Sequence, residues 1–320
     1  MIYPENILLL APLSGFTDLA YRRAARRCGC RYAFAEMVDA ASIVYNPERA
    51  KTFLRRGEEE DFLGVQLVGS DPAWLKKSAE FLNAFDFSVV DLNLGCPVPK
   101  VMKKNAGAAL GRDADRAARC LEAIVTASRV PVTAKMRILS FDDPEPSVRL
   151  AAKLVEAGAQ AITVHGRTRD AFYSGNVAFD VIRAVAQNVG VPVIANGGIH
   201  SPPDDETMRR ETTCSRRMLA QGAMGNPWLF RLIEGGRPPT IEEWKNVVHG
   251  HLRDMISLYG ESDAMKRSRK IVHDYLRGRG FPASARAEAS RLASMRDAEI
   301  LLSKLEFSAS TFAPGRAPEL

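Results

Sequence analysis

The stretch "SVVDLNLGCPVPKV", residues 88–101, decides how the rest of the chain is read. Its first seven residues, Ser88 to Leu94, form a short apolar run with Asp91 and Asn93 set inside it. A run of that length reads as a buried strand. It ends in Gly95-Cys96-Pro97, where glycine lets the backbone turn and proline cannot continue a ladder. An inert, buried cysteine sits more naturally inside a strand than at such an exit. Cys96 is therefore a candidate for chemistry.

Similar runs recur on both sides, over residues 7–13, 32–38, 62–68, 89–94, 130–138, 161–165, 191–195 and 218–220. Helical patterns over 18–27, 72–85, 114–128, 148–157 and 178–188 lie between them. Strand and helix in alternation imply parallel strands joined by crossover helices. Eight such units in about 230 residues have the size of a closed (β/α)8 TIM barrel. Pro131 and Pro192 fall at strand starts, where a missing N–H is tolerated. After Gly235-Gly236-Arg237-Pro238-Pro239 the β runs stop, and apolar residues such as Trp244, Val248, Leu252 and Met255 follow helical spacing. The expected organisation is an α/β barrel over 1–235, a smaller all-α helical domain over 240–307 and a frayed tail over 308–320.

The chain has 320 residues, 46% of them hydrophobic, enough for a substantial core. No window approaches the ~18 uncharged apolar residues of a membrane helix. The first residues lack the layout of a signal peptide. Five scattered cysteines, with Cys28-Gly29-Cys30 too close for the usual zinc pair, indicate a reduced, cytoplasmic protein without a structural metal. A monomer is the default expectation. Net charge is a mild +6. Two basic clusters stand out: Arg22, Arg23, Arg26 and Arg27, then Lys266, Arg267, Arg269, Lys270, Arg277 and Arg279. Each reads either as a solvated helix face or as a polyanion footprint.

In such barrels chemistry gathers at the carboxyl ends of the strands. The unusual residues fall there: Pro12-Leu13-Ser14, Gln66, Asn93 and Cys96, Lys135 and Arg137, His165 and Arg167, Asn196-Gly197-Gly198, and Ala220-Gln221. Packing could explain any one of them. Lys135 is the hardest to explain so, because a buried ammonium must be paired or neutralised. Their convergence on one rim indicates a functional site. Asn196-Gly197-Gly198 adds a phosphate signal, since glycine lets backbone N–H groups approach an anion after the seventh strand. There is no P-loop and no G-x-G-x-x-G unit.

With those residues in place, the chain resembles the tRNA-dihydrouridine synthases, most closely their bacterial B type. The shared stretches are "APLSGFTDLAYRR" (11–23), "VQLVGSDP" (65–72), "DLNLGCPVPKV" (91–101), "GAALGRD" (107–113), "PVTAKMR" (131–137), "TVHGRT" (163–168), "YSG" (173–175), "PVIANGGI" (192–199) and "GNPWLF" (225–230). The resemblance implies reduction of uridine to 5,6-dihydrouridine in tRNA, or alternatively in ribosomal RNA, with FMN as cofactor and NADPH as reductant. By motif position it assigns FMN contacts to Pro12, Leu13, Ser14, Gln66, Lys135, His165, Asn196, Gly197 and Gly198. Ala220 and Gln221 join them, although family members usually carry a phosphate-holding arginine where Gln221 stands. Asn93, Arg137 and Arg167 match positions that line the pocket for the base.

The implied chemistry suits these side chains. Hydride adds at C6 of uracil, negative charge develops at C5 and the carbonyl, and a thiol can protonate C5 as general acid. Cys96 takes that role. Lys135 and His165 would stand by the flavin's polar edge and stabilise its anionic reduced form. The target base has to be swung out of folded RNA to be reached. Two other readings stay open on sequence alone. One is a different FMN barrel oxidoreductase resembling dihydroorotate dehydrogenase. The other is an RNA-binding protein whose flavin site has decayed.

Overall fold

Eight short strands run in parallel and close on one another: β1 (Leu8–Leu10), β2 (Tyr32–Asp39), β3 (Phe62–Val68), β4 (Val89–Leu94), β5 (Val132–Arg137), β6 (Ile162–His165), β7 (Val193–Asn196) and β8 (Arg216–Leu219). β8 pairs with β1, with Leu9 opposite Met218, so the sheet has no open edge. This computed structural model describes residues 2–306; the expected tail over 308–320 lies outside them. The expected TIM barrel is the architecture found.

The crossover helices Leu19–Arg27, Pro72–Leu82 and Ala114–Val125 start where an aspartate accepts orphan backbone N–H groups. Asp71 accepts from Ala73 and Trp74 ahead of the helix Pro72–Leu82, and Asp113 accepts from Arg116 ahead of Ala114–Val125. The second of these helices buries Ala117, Cys120, Leu121 and Ile124, a stripe at helical spacing. Outward strand positions meet such stripes. Leu92, Ala134, Ile162 and Val193 lie in register along one outward row, and all are apolar.

Residues paired across parallel strands point to the same face, and the face alternates along each strand. The opposite face, toward the lumen, is different in kind. Its lower layer is filled by Phe34, whose ring occupies the place of a side chain on Gly64; a Cβ there would lie 2.4 Å from the ring. A register shift between Phe34 and Met37 keeps both residues pointing inward. Above this layer the lumen face becomes polar.

The chain divides into two compact units. The barrel strands belong to the first, which comprises residues up to Gly15, Arg31–Gly198 and Glu206–Leu219. The second unit takes Phe16–Cys30, Ile199–Asp205 and the chain from Ala220 onward. Its core is built from Trp228, Trp244, Val248, Leu252, Met255, Tyr275 and Leu276, among others. Helix Ile241–Tyr259 opens with a reciprocal cap between Thr240 and Glu243, and Met295–Ser303 with one between Ser294 and Asp297. Within this unit the early helix Leu19–Arg27 joins Ile241–Tyr259 through ion pairs to Asp254 and a hydrogen bond from Tyr259 to Asp18. Among the described residues no helix is long and apolar enough to cross a membrane.

Strand β8 begins two residues earlier than the apolar run 218–220 indicates. Arg216 and Arg217 occupy its start, and both are buried. Their guanidinium groups reach backbone carbonyls, Arg216 that of Tyr3 at 2.9 Å and Arg217 that of Ser215. Long stems can pack while charged heads find acceptors, so charge here marks no loop.

Candidate active site

Strand register assembles the site in rows on the lumen face. Gln66 pairs with Asp91, and Asp91 with Thr133. One level higher Asn93 pairs with Lys135, and Lys135 with Thr163. Higher again, at the carboxyl ends, Arg137, His165 and Asn196 stand side by side. These three rows hold six of the residues that the sequence singled out.

Cys96 follows β4 in a turn gripped from both sides. Asn93 Oδ1 accepts the N–H of Gly95 at 3.0 Å and the N–H of Cys96 at 2.9 Å. Arg137 Nε donates to the Gly95 carbonyl at 2.8 Å. The Cys96 carbonyl accepts from the N–H of Ala108 at 3.0 Å. The thiol is half-buried, whereas Cys28, Cys30, Cys120 and Cys214 are fully buried. Burial pushes the Cys96 thiol above its usual pKa; the Val98 N–H, then Arg137 and Lys135, oppose that shift. At neutral pH the sulfur therefore keeps its proton.

Asn93 is itself held. Its Nδ2 donates to Gln66 Oε1 at 2.7 Å and lies 3.3 Å from Met37 Sδ. Gln66 Nε2 donates to Asp91 Oδ2 at 2.7 Å, and Thr133 Oγ1 donates to Asp91 Oδ1 at 2.6 Å. Burial lifts the Asp91 carboxyl to a pKa of about 6, against the pull of Thr133, Gln66 and Lys135.

Lys135 donates from Nζ to Asn196 Oδ1 at 2.8 Å, and Asn196 Nδ2 donates to the Met218 carbonyl at 2.8 Å. Loss of water, then the neighbouring Arg137, brings Lys135 down to about 8. His165 is held well below its usual pKa by burial, and then by Lys135, Arg137 and Arg167. The ring is neutral, and its buried Nε2 has no hydrogen-bond partner. Gly197 and Gly198 both adopt positive φ, and a Cβ on Gly197 would lie 2.7 Å from His165 Cδ2. Pro12 and Leu13 are half-buried and Ser14 exposed in the loop after β1.

Arg137 also donates to the carbonyls of Thr168 at 3.1 Å and Phe172 at 2.6 Å, with its guanidinium 5.3 Å from the Tyr173 ring centre. It thereby ties the turn after β4 to the loop after β6. Arg167 Nε donates to the Gly175 carbonyl at 3.0 Å in that same loop. Ala220 and Gln221 follow β8 directly, at the start of the second unit, where Gln221–Ala223 forms a short turn. Asp91, Thr133, Met37 and Tyr173 were given no role on sequence grounds. The signal available for Asp91 was its position, a carboxyl inside an apolar run.

The basic clusters are mixed: Arg22 and Arg279 are buried, Arg23, Arg26 and Arg269 half-buried, and Arg27, Lys266, Arg267, Lys270 and Arg277 exposed. Arg22 is buried and donates to the Thr17 carbonyl. Arg23 and Arg27 pair with Asp254 at 3.4 and 2.8 Å. Arg279 is buried against Trp228 and bonds the carbonyls of Tyr275 and Gly225. Lys270 lies 4.0 Å from the Phe16 ring centre and Arg267 4.6 Å from that of Tyr259. Lys266 and Arg277 have side chains 66% and 58% accessible, each beside a carboxylate one turn away, Asp263 at 3.5 Å and Asp274 at 3.3 Å.

Known proteins share this arrangement of sequence. The family described as dihydrouridine synthase (Dus) matches residues 9–311. A tRNA-dihydrouridine synthase B of Shewanella oneidensis is 35% identical over 279 residues, covering 85% of this chain and 87% of that protein. A probable tRNA-dihydrouridine synthase of Rhizobium leguminosarum bv. phaseoli is 34% identical over 302 residues, 94% of each chain. Among solved structures, histamine dehydrogenase from Rhizobium sp. 4-9 superposes with a TM-score of 0.55 over 77% of this chain and 48% of its own. At 12% identity that likeness is one of fold.

Proposed function

The chain belongs to the dihydrouridine synthase family, and from that premise we propose that it reduces uridine to 5,6-dihydrouridine in tRNA with FMN as cofactor and NADPH as reductant. The relatives named as tRNA-dihydrouridine synthases support the substrate. The observation that carries the chemistry is the half-buried, protonated thiol of Cys96, fixed at the end of β4 by Asn93 and Arg137.

The residues fit FMN on two counts. His165 Nε2 is a buried polar atom left without a partner, which a ligand's polar edge would satisfy. Gly197 and Gly198, whose Cβ atoms would meet His165 and Val177, leave bare backbone at the end of β7, where N–H groups can approach a phosphate. Pro12, Leu13, Ser14, Gln66, Lys135, His165, Asn196, Gly197 and Gly198 would hold the group. When bound and reduced, it supplies the hydride that C6 of uracil accepts.

This chain's residues handle the rest. Cys96 Sγ gives its proton to C5, closing the double bond's valences, and regains one from water. Its raised pKa favours that recovery. The Lys135 ammonium, held by Asn196, and the neutral His165 would face the cofactor's polar edge and offset negative charge. Asn93, Arg137 and Arg167 would orient the base, which must leave its stack to reach them. The helical region over 240–307 would contact the RNA backbone.

The test is direct. Purified protein is given FMN, NADPH and unmodified tRNA, and dihydrouridine is measured by mass spectrometry. The parent protein is expected to form it. Cys96→Ala is expected to lose roughly 100-fold or more in rate, the usual worth of a placed general acid, with cofactor binding retained. Product formation at the parental rate by that variant would exclude the thiol as proton donor.

A further inference from the structure

We infer that Asp91 is the positioning residue of the site: the fixed end of a one-way amide relay that runs through Gln66 and Asn93 to the Cys96 turn. The relay's direction follows from which groups can only donate and which can only accept. The N–H groups of Gly95 and Cys96 can only donate, so the Asn93 atom facing them, at 3.0 and 2.9 Å, is its oxygen. Asn93 then turns Nδ2 toward Gln66, and the Gln66 atom 2.7 Å away has to be the oxygen. Gln66 is left with Nε2 pointing at Asp91, 2.7 Å off, and requires an acceptor there. An ionised carboxylate accepts and cannot donate. It takes the Thr133 hydroxyl on its other oxygen at 2.6 Å. Each amide in the series therefore has one permitted orientation.

Asp91 lies two side chains away from the thiol-bearing turn, so it acts through others. Its presence is costly for packing alone. It is 2% exposed, and burial raises its carboxyl to about 6. A well-packed apolar residue at such a place is often as stable or more so. Without the acceptor, Gln66 is free to turn over and present Nε2 to Asn93 Nδ2, donor against donor. Asn93 would then release the N–H groups of Gly95 and Cys96.

The proposal rests on Cys96 as proton donor, and its test has one readout that needs no catalysis. Cofactor-free protein is treated with iodoacetamide and alkylation at Cys96 is followed by peptide mass, the other four cysteines being buried. Asp91→Leu and Gln66→Leu are each expected to speed Cys96 alkylation at least fivefold, and the double variant no further. Asp91→Asn, which keeps an oxygen for Gln66 and can give its amide to the Thr133 hydroxyl, is expected to restore the parental rate within twofold. In turnover, Asp91→Leu should lose tenfold or more in kcat with KM for tRNA within twofold, and Asp91→Asn should recover most of that loss. Parental alkylation and kcat in Asp91→Leu overturn the relay. So does an Asp91→Asn variant as impaired as Asp91→Leu, which would assign the effect to charge. If Asp91→Leu fails to fold, judged by thermal melting, Gln66→Leu alone decides through the alkylation rate. A faster thiol in a protein whose parent makes no dihydrouridine would uphold the relay and overturn the proposed reaction.

Discussion

Gly197 carries a constraint that no other residue type could meet. Its φ is +119°, and a Cβ would press to within 2.7 Å of the His165 ring. Side chains strongly avoid that backbone conformation, and the His165 ring it would meet is buried. Gly197→Ala is expected to displace the imidazole and weaken FMN binding at least tenfold, measured by flavin fluorescence titration; unchanged affinity would separate Gly197 from the cofactor. Residues of this kind were legible in the sequence because their chemistry is out of place. A lysine inside a strand (Lys135), a thiol between glycine and proline (Cys96) and paired glycines after an asparagine (Gly197-Gly198) each contradict simple packing. Asp91 was not legible in the same way. Its partners, Gln66 and Thr133, lie 25 and 42 residues away and meet it only through strand register.

At the level of helices, His251 of Ile241–Tyr259 is fully buried, with Nδ1 3.1 Å from the Tyr275 hydroxyl and the Tyr21 ring 5.6 Å away, centre to centre. Burial lowers its pKa from 6.5 to about 4; Asp18 and Asp254 pull it upward and Arg27 pushes it down. The folded ring stays neutral while an unfolded chain would take up a proton near 6.5. Stability contributed this way is complete above pH 6.5 and is lost as pH falls toward 4, roughly 3 kcal/mol in all. Urea unfolding at pH 7.5 and pH 4.5 should show that extra loss in the parent and not in His251→Gln; equal losses in both would contradict it. The helical periodicity of this segment was readable from Trp244 to Met255. What could not be read was the use of the arginines. A basic run looks alike whether it faces water or, as with Arg22 and Arg279, caps carbonyls inside a core. For the same reason Arg216 and Arg217 concealed the start of β8.

For the molecule as a whole, the order of strands was legible because parallel strands alternate with crossover helices, and eight of them leave few arrangements other than a closed ring. The membership of the two units was not, since Leu19–Arg27 reads as an ordinary crossover helix. RNA binding is a whole-surface property. Each phosphate contact adds about 0.7–0.9 to the slope of log affinity against log salt. Lys266→Gln with Arg277→Gln should therefore flatten the slope for tRNA by about 1.5. Arg23→Gln with Arg27→Gln, less exposed at 29% and 45% side-chain accessibility and sharing Asp254 between them, should change it less, and the reverse ranking would relocate the RNA surface. The early membership of Leu19–Arg27 in the second unit also has a bearing on synthesis. Arg27 and Asp254 are 227 residues apart, so at about 5–20 residues per second the ribosome takes roughly 11–45 s to deliver the partner. Through that interval the nascent helix carries its apolar flank uncovered, and holding chaperones have a defined stretch of newborn chain to guard.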